Sequence, residues 1–218
     1  GLYRYRVARL LEVERVRTHI ATDLHDDIGA NLTRIAFLSE AAGVGVRPDN
    51  SPDLLRSIAS ISRESVSAMN DIVWAIDPNR DSLRDLARRM RQYAEQTFVP
   101  REIALDFSAD DVDDLRLGHE MRRQIYLVFK ESVNNAARHS RCAHAEVSLH
   151  VGRRRLELLI ADDGCGIDAS LVRDGNGLRN IRRRAAALGG EVDIRSEPGN
   201  GTRISLSVPL HGPASIRR

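Results

Sequence analysis

The sequence predicts an α+β protein of two domains: a helical hairpin that pairs with a second copy into a dimeric four-helix bundle, and an α/β sandwich. Three observations predict it. Residues 1–80 carry two long apolar stripes at helical spacing, separated by one Gly- and Pro-rich break. Residues 100–212 mix strand-like alternation with two helical runs, without the strict βαβ order of a doubly wound sheet. The 218 residues, 42% of them hydrophobic, suffice for two small cores. The boundaries read as 1–80 for the hairpin, 81–99 for a connecting helix and hinge, 100–212 for the sandwich and 213–218 for a tail.

The first helix is expected over residues 2–41. Val13, Val16, Ile20, Leu24, Ile28, Leu32, Ile35 and Leu38 recur at steps of three or four, a stripe too long for an ordinary globular helix and suited to a bundle. Residues 43–53 break it, and Ser51-Pro52 reads as an N-cap followed by a first helical position. A second stripe follows in Leu54, Ile58, Ile61, Met69, Ile72 and Ile76, with Ser65 in register, until Asp77-Pro78-Asn79 stops it. A hairpin of two such helices covers its own apolar faces poorly, so a homodimer is expected. The other reading packs both stripes on the rest of the same chain.

Residues 81–98 read as a third helix. Glu102–Phe107 alternates like a strand, and 117–139 is helical. Ala145–Val151 and Arg155–Ala161 read as strands around a Gly-Arg turn. Residues 177–188 form a helix closed by Gly189-Gly190, and Glu191–Ser196 with Thr202–Val208 form a last hairpin. Asp77-Pro78-Asn79 and residues 98–101 are the hinge candidates.

Composition excludes several classes. A net charge of +2 leaves no nucleic-acid footprint, and Arg182-Arg183-Arg184 reads as a solvated helix face or a phosphate contact. Lys130 is the sole lysine, so no P-loop Gly-Lys-[Ser/Thr] exists. Cys142 and Cys165 form no CxxC pair, which argues against a zinc site or a disulfide framework. No apolar run approaches about 18 residues, so this fragment is expected to be soluble. A chain that opens at Gly1 inside a helical pattern is expected to be an excised fragment of a longer protein.

Four signatures follow one another in residues 131–202. Glu131 and Asn135 share a helix face; a carboxylate can accept a proton or orient water, and an amide oxygen suits Mg²⁺. Arg138 and His139, one turn on, are placed to meet phosphate oxygens. Asp162-Asp163-Gly164-Cys165-Gly166 ends a strand, where an Asp can accept from an exocyclic amine and glycines let backbone approach a flat ring. Gly175-Asn176-Gly177-Leu178 opens a helix whose free N–H groups attract phosphate, with residues 167–174 as a short lid. Gly199, Gly201 and Thr202 close the set. Each alone is as well read as a polar helix face or a turn.

In this order the four resemble the ATP-binding (Bergerat) domain shared by gyrase, Hsp90, histidine kinases and MutL, the GHKL superfamily, over about residues 100–210. The resemblance implies that Asn135 holds Mg²⁺, Asp162 contacts adenine, Gly164 and Gly166 belong to the first Gly box, Gly175 to Leu178 form the second, and Gly175 and Gly177 shape the lid at the phosphates. Thr202 belongs to the last box. Arg138 stands where relatives often have lysine, which keeps the charge but not the geometry.

Residues 14–29, with His25-Asp26-Asp27, resemble the phosphoacceptor box of the type-3 histidine-kinase dimerisation domain, the subfamily of nitrate and membrane-fluidity sensors. Residues 69–78 also resemble the branch with a periplasmic β-propeller sensor and one membrane helix. The implied function is ATP-dependent autophosphorylation of His25, then transfer to an Asp on the receiver domain of a DNA-binding response regulator. The implied location of the full-length protein is the cytoplasmic side of the bacterial inner membrane. A neutral imidazole is a nucleophile at pH 7, and Asp26 is placed to take the surplus ring proton; Glu131 is the third expected catalytic residue. Related kinases often carry Gln five residues after the His, to orient water for dephosphorylating the regulator; Ala30 stands there, so phosphatase activity is expected to be weak. An ATPase or serine kinase of the same superfamily, and a silent scaffold that binds a receiver domain, are the competing readings.

Overall fold

The computed structural model describes residues 29–43, 51–77, 81–110, 115–152, 154–167 and 176–210. They divide into two compact units, Gly1–Asp77 and Pro78–Arg218.

The first unit contains α1 (Gly29–Gly43) and α2 (Ser51–Ile76), which pack on each other as a hairpin. Ile61, Ile72 and Trp74 of α2 are buried. Ser65 is buried in the same stripe, and its hydroxyl donates to the Ile61 carbonyl at 2.8 Å, so the polar group costs little. The hairpin does not cover its whole apolar surface. Leu32 of the first stripe and Met69 of the second are exposed, beside Phe37, Leu55, Val66 and Val73. Two helices bury one face each; further apolar residues need a further partner. The part of the first stripe before Gly29 lies outside the described residues.

Among the described residues, the second unit is a five-stranded sheet covered by three α-helices. Its strands are β1 (Ala104–Ala109), β2 (His144–Val151), β3 (Arg155–Asp162), β4 (Glu191–Ser196) and β5 (Thr202–Pro209), in the order β1-β2-β3-β5-β4. β1 runs parallel to β2, and the other pairings are antiparallel. The helices are α3 (Leu83–Phe98), α4 (His119–Asn135) and α5 (Asn176–Ala187). The core forms where strand alternation meets helical spacing: Val147, Leu149, Leu158 and Leu206 from the sheet, Met90, Phe129 and Ile181 from the helices. The opposite sheet face is polar, with Glu157 and Arg203 exposed, so one layer of helices suffices.

The helix read as a connecting segment over 81–99 is built into this second unit. Ser82 caps α3 by accepting from the Asp85 N–H at 3.1 Å, and its hydroxyl donates back to the Asp85 carboxylate at 2.6 Å. Leu83, Leu86, Met90, Ala94 and Phe98 then lie fully buried against the unit. Residues 98–101, a hinge candidate from the sequence, form a hydrogen-bonded corner in which Phe98 is buried and its carbonyl accepts from Ile103 N–H at 3.2 Å, while Val99, Pro100 and Arg101 are exposed. The boundary between units falls at Asp77 and Pro78. No helix among the described residues is long and apolar enough to cross a membrane.

Candidate functional site

The end of α4, the loop after β3, the start of α5 and the start of β5 enclose a cavity of about 400 Å³. Glu131 and Asn135 line it from α4, as their spacing of four on one helix face requires. After Asn135 the helix widens into a π turn, Ala136–Ser140, ended by Arg141 in the left-handed region at φ 54°. The sequence reads as one uninterrupted helix here and puts Arg138 and His139 together at the site. Of the two, His139 lines the cavity and Arg138 does not; both are exposed, and neighbouring residues on a helix point about 100° apart around its axis.

Two neighbouring carboxylates end β3 and have different work. Asp163 Oδ1 accepts from the Ala143 and His144 N–H groups at 2.9 Å each, which ties the loop to the start of β2. The bonds from His144 and Ala143 hold its carboxyl below the usual range. Asp162 lines the cavity. Burial pushes its carboxyl above the usual range, and the Asp163 charge adds to this; bonds from Gly164 N–H, Ser140 and Thr202 N–H offset part of the rise. The Gly164 nitrogen sits 3.0 Å from Asp162 Oδ1 and donates to it.

The glycines have separate reasons. Gly164 does not line the cavity; it is buried behind it, where any Cβ would overlap Ser140. Gly166 lines it at φ 68°, with the Glu197 carbonyl in the space a side chain would need. Gly177 lines it from the first turn of α5, and a Cβ there would overlap Glu131 Oε1 and lie 3.5 Å from Asn135 Nδ2. The α4 polar pair and the start of α5 therefore converge on one spot, beside helix N–H groups that favour negative charge.

Leu178 and Thr202 also line the cavity. Ser196 Oγ donates to the Gly201 carbonyl at 2.9 Å, accepts from Ile167 N–H at 2.8 Å, and lies 2.9 Å from Thr202 Oγ1. With the serine proton given to Gly201, the Thr202 hydroxyl donates to Ser196 and turns its lone pairs outward.

Sequence reasoning missed Ser132, Ala136, Ser140, Ile160, Ile167 and Ile204 in the lining. Strand alternation held the signal for two of them. Ile160 lies two residues before Asp162 and Ile204 two after Thr202, so each shares a face with a site residue, and the two isoleucines pair in register. Ser132, Ala136 and Ser140 follow one another at steps of four, the last at the end of the π turn. His25, Asp26 and Gly175 lie outside the described residues.

Comparison with known proteins supplies an independent reading. Residues 120–212 match the family described as histidine kinase-, DNA gyrase B- and HSP90-like ATPase, and residues 16–82 match a second family described as histidine kinase. An uncharacterized sensor-like histidine kinase of Chloroflexus aurantiacus is 30% identical over 207 residues, 90% of this chain and 35% of that protein. The signal transduction histidine-protein kinase/phosphatase UhpB of Salmonella typhimurium is 29% identical, over 92% of this chain and 40% of its own length. The chain thus spans little more than a third of these relatives. A blue-light activated histidine kinase of Erythrobacter litoralis shares the fold with a TM-score of 0.58 at 21% identity, covering 88% of this chain and 60% of that one. With residues 16–82 and 120–212 matched in this order, and the cavity of the α4 pair, Asp162 and the glycine turns lying within the second match, the chain belongs to the histidine kinase family.

Proposed function

We propose that the chain is the catalytic core of a sensor kinase that phosphorylates its own His25 from ATP and passes the phosphoryl group to an Asp on a response-regulator receiver domain. The observation that carries this is the convergence of Glu131, Asn135, Asp162, Gly177 and Thr202 on one cavity. Asp162 accepts from the adenine amine, with Ile160 and Ile204 against the ring. The start of α5 and His139 meet phosphates. Phosphoryl transfer needs positioning and charge neutralisation more than covalent help. Asn135 offers the hard oxygen that Mg²⁺ takes, and Glu131 stands beside it. The nucleotide's own phosphates would supply further oxygens to that ion. Asp26 takes the proton that His25 sheds.

The exposed apolar residues of the hairpin, Leu32, Phe37, Val66 and Val73 among them, support the homodimer. A DNA-binding response regulator as partner, and a membrane-anchored full-length protein with this core on the cytoplasmic side, are part of the same proposal. The test is incubation with Mg²⁺ and γ-labelled ATP. Label that acid removes and alkali spares is the expected product; label that survives acid would favour hydroxyl chemistry and the serine-kinase reading.

Two further outcomes follow from single positions. In Gly177→Ala the new methyl displaces the Glu131 carboxylate, a flexible group that yields without unfolding the helix. The labelling rate at saturating ATP is expected to fall by roughly ten- to a hundredfold, with the thermal midpoint little changed. A wild-type rate in a stopped assay would mean that Glu131 need not rest against the α5 start. In Ala30→Gln, loss of phosphate from a phosphorylated receiver domain is expected to speed up. Rapid, kinase-dependent loss already present with Ala30 would defeat the expectation that phosphatase activity is weak.

A further inference from the structure

Tyr93 lies outside the nucleotide cavity, yet it is bonded to the helix turn that builds it. From α3 its hydroxyl donates to Asn134 Oδ1 at 3.0 Å, and the Lys130 ammonium sits 5.4 Å from its ring centroid. Lys130 and Asn134 are one turn apart on α4, as are Glu131 and Asn135. The two rows differ by one residue, about 100° around the helix axis. One row meets α3 and the other lines the cavity.

The ring is itself held. It stands edge-on to Tyr126 and Phe129 of α4, with centroids 6.2 and 6.1 Å away. Arg89, on α3 with Tyr93, covers the Tyr126 ring at 4.9 Å. The contact falls where α4 most needs an outside restraint. Regular α geometry ends at Asn135 and the π turn begins at Ala136, so the last α turn lacks a regular continuation to stiffen it. α3 is also the first helix of the second unit after the boundary at Asp77 and Pro78.

We infer that Tyr93 is a positioning residue for phosphoryl transfer: by fixing Asn134 it holds the Glu131–Asn135 row in the register in which both reach the cavity and the start of α5. This rests on the proposed ATP chemistry. Tyr93→Phe keeps the ring, the aromatic packing and the Lys130 contact and removes the hydroxyl that bonds Asn134. Asn134→Ala removes it from the other side.

The experiment compares wild type, both single variants and the double variant for Mg²⁺-nucleotide affinity, labelling rate at saturating ATP and thermal midpoint. Each single variant is expected to label about three- to tenfold more slowly, with nucleotide affinity and midpoint near wild type. The double variant should be no slower than the slower single one, because both changes cut the same bond. A wild-type rate in Tyr93→Phe, additive losses in the double variant, or a lowered midpoint with an unchanged rate would each overturn the inference while the ATP reading stands. A wild-type chain that binds no nucleotide would overturn both.

Discussion

His25→Ala is expected to take up no acid-labile label from γ-labelled ATP, while its nucleotide affinity stays within about twofold of wild type. The two expectations separate because the two functions reside in different units. The cavity belongs wholly to Pro78–Arg218, whereas position 25 belongs to Gly1–Asp77. Removing the imidazole removes the proposed nucleophile and changes none of the residues that line the cavity. His19 lies six residues upstream and lacks the following acid; label that moved there in the variant would show that position, not the Asp26 partner, selects the acceptor. Undiminished labelling of His25→Ala would sink the assignment of His25 outright. Tight nucleotide binding without label even in wild type would instead favour the ATPase or the scaffold.

Much of the second unit is legible in the sequence because its signals are local. The strand at Arg155 and the helix stop at Gly189-Gly190 rest on period-two alternation and on a glycine after the last helical turn, and the structure places β3 and α5 within a residue or two of those readings. The cavity lining from Glu131, Asn135, Asp162, Gly166, Gly177, Leu178 and Thr202 is legible for the same reason: each needs a short backbone feature that leaves a residue pattern.

What was illegible is set by contacts distant in sequence. Helix α3 has an amphipathic pattern that suits a connector as well as a docked helix; only Phe98 and Met90 in the core decide between them. The π turn has no composition of its own, so the widening at Ala136–Ser140 leaves no trace in the residue order. Asp162 and Asp163 are the same residue type side by side. Their division of labour depends on which one finds the N–H groups of Ala143 and His144, about twenty residues away. The hairpin shows the opposite limit. Leu32 and Met69 fit their stripes by spacing, yet spacing cannot tell a face covered by the same chain from one left for a second copy.

Asp162→Asn is expected to weaken nucleotide binding by roughly ten- to a hundredfold and yet to leave the protein as stable as wild type, or more so, at neutral pH. Both halves follow from one geometry. Gly164 N–H already donates to Asp162 Oδ1 at 3.0 Å. In the variant that bond keeps the amide oxygen, so the NH₂ group turns to the cavity and faces the adenine amine donor to donor. The stability half comes from burial, which raises the carboxyl above its ordinary value, with the Asp163 charge adding to it. A raised folded-state value means that the folded state binds the proton more tightly than the unfolded one. Stability therefore falls as pH rises through the interval between the two values, and the whole loss is present at neutral pH. A neutral amide removes that loss. The same shift sets the pH dependence of binding. Wild-type affinity should decline on acidification at a higher pH than an ordinary aspartate, near 3.9, would produce, and Asp162→Asn should lack that decline. Isothermal titration with nucleotide across the acidic range, paired with thermal melts of both proteins, measures all three. A variant that binds as tightly as wild type would show that Asp162 does not read the base. A variant that melts well below wild type would show that the carboxylate supports the loop to Gly166 more than burial opposes it.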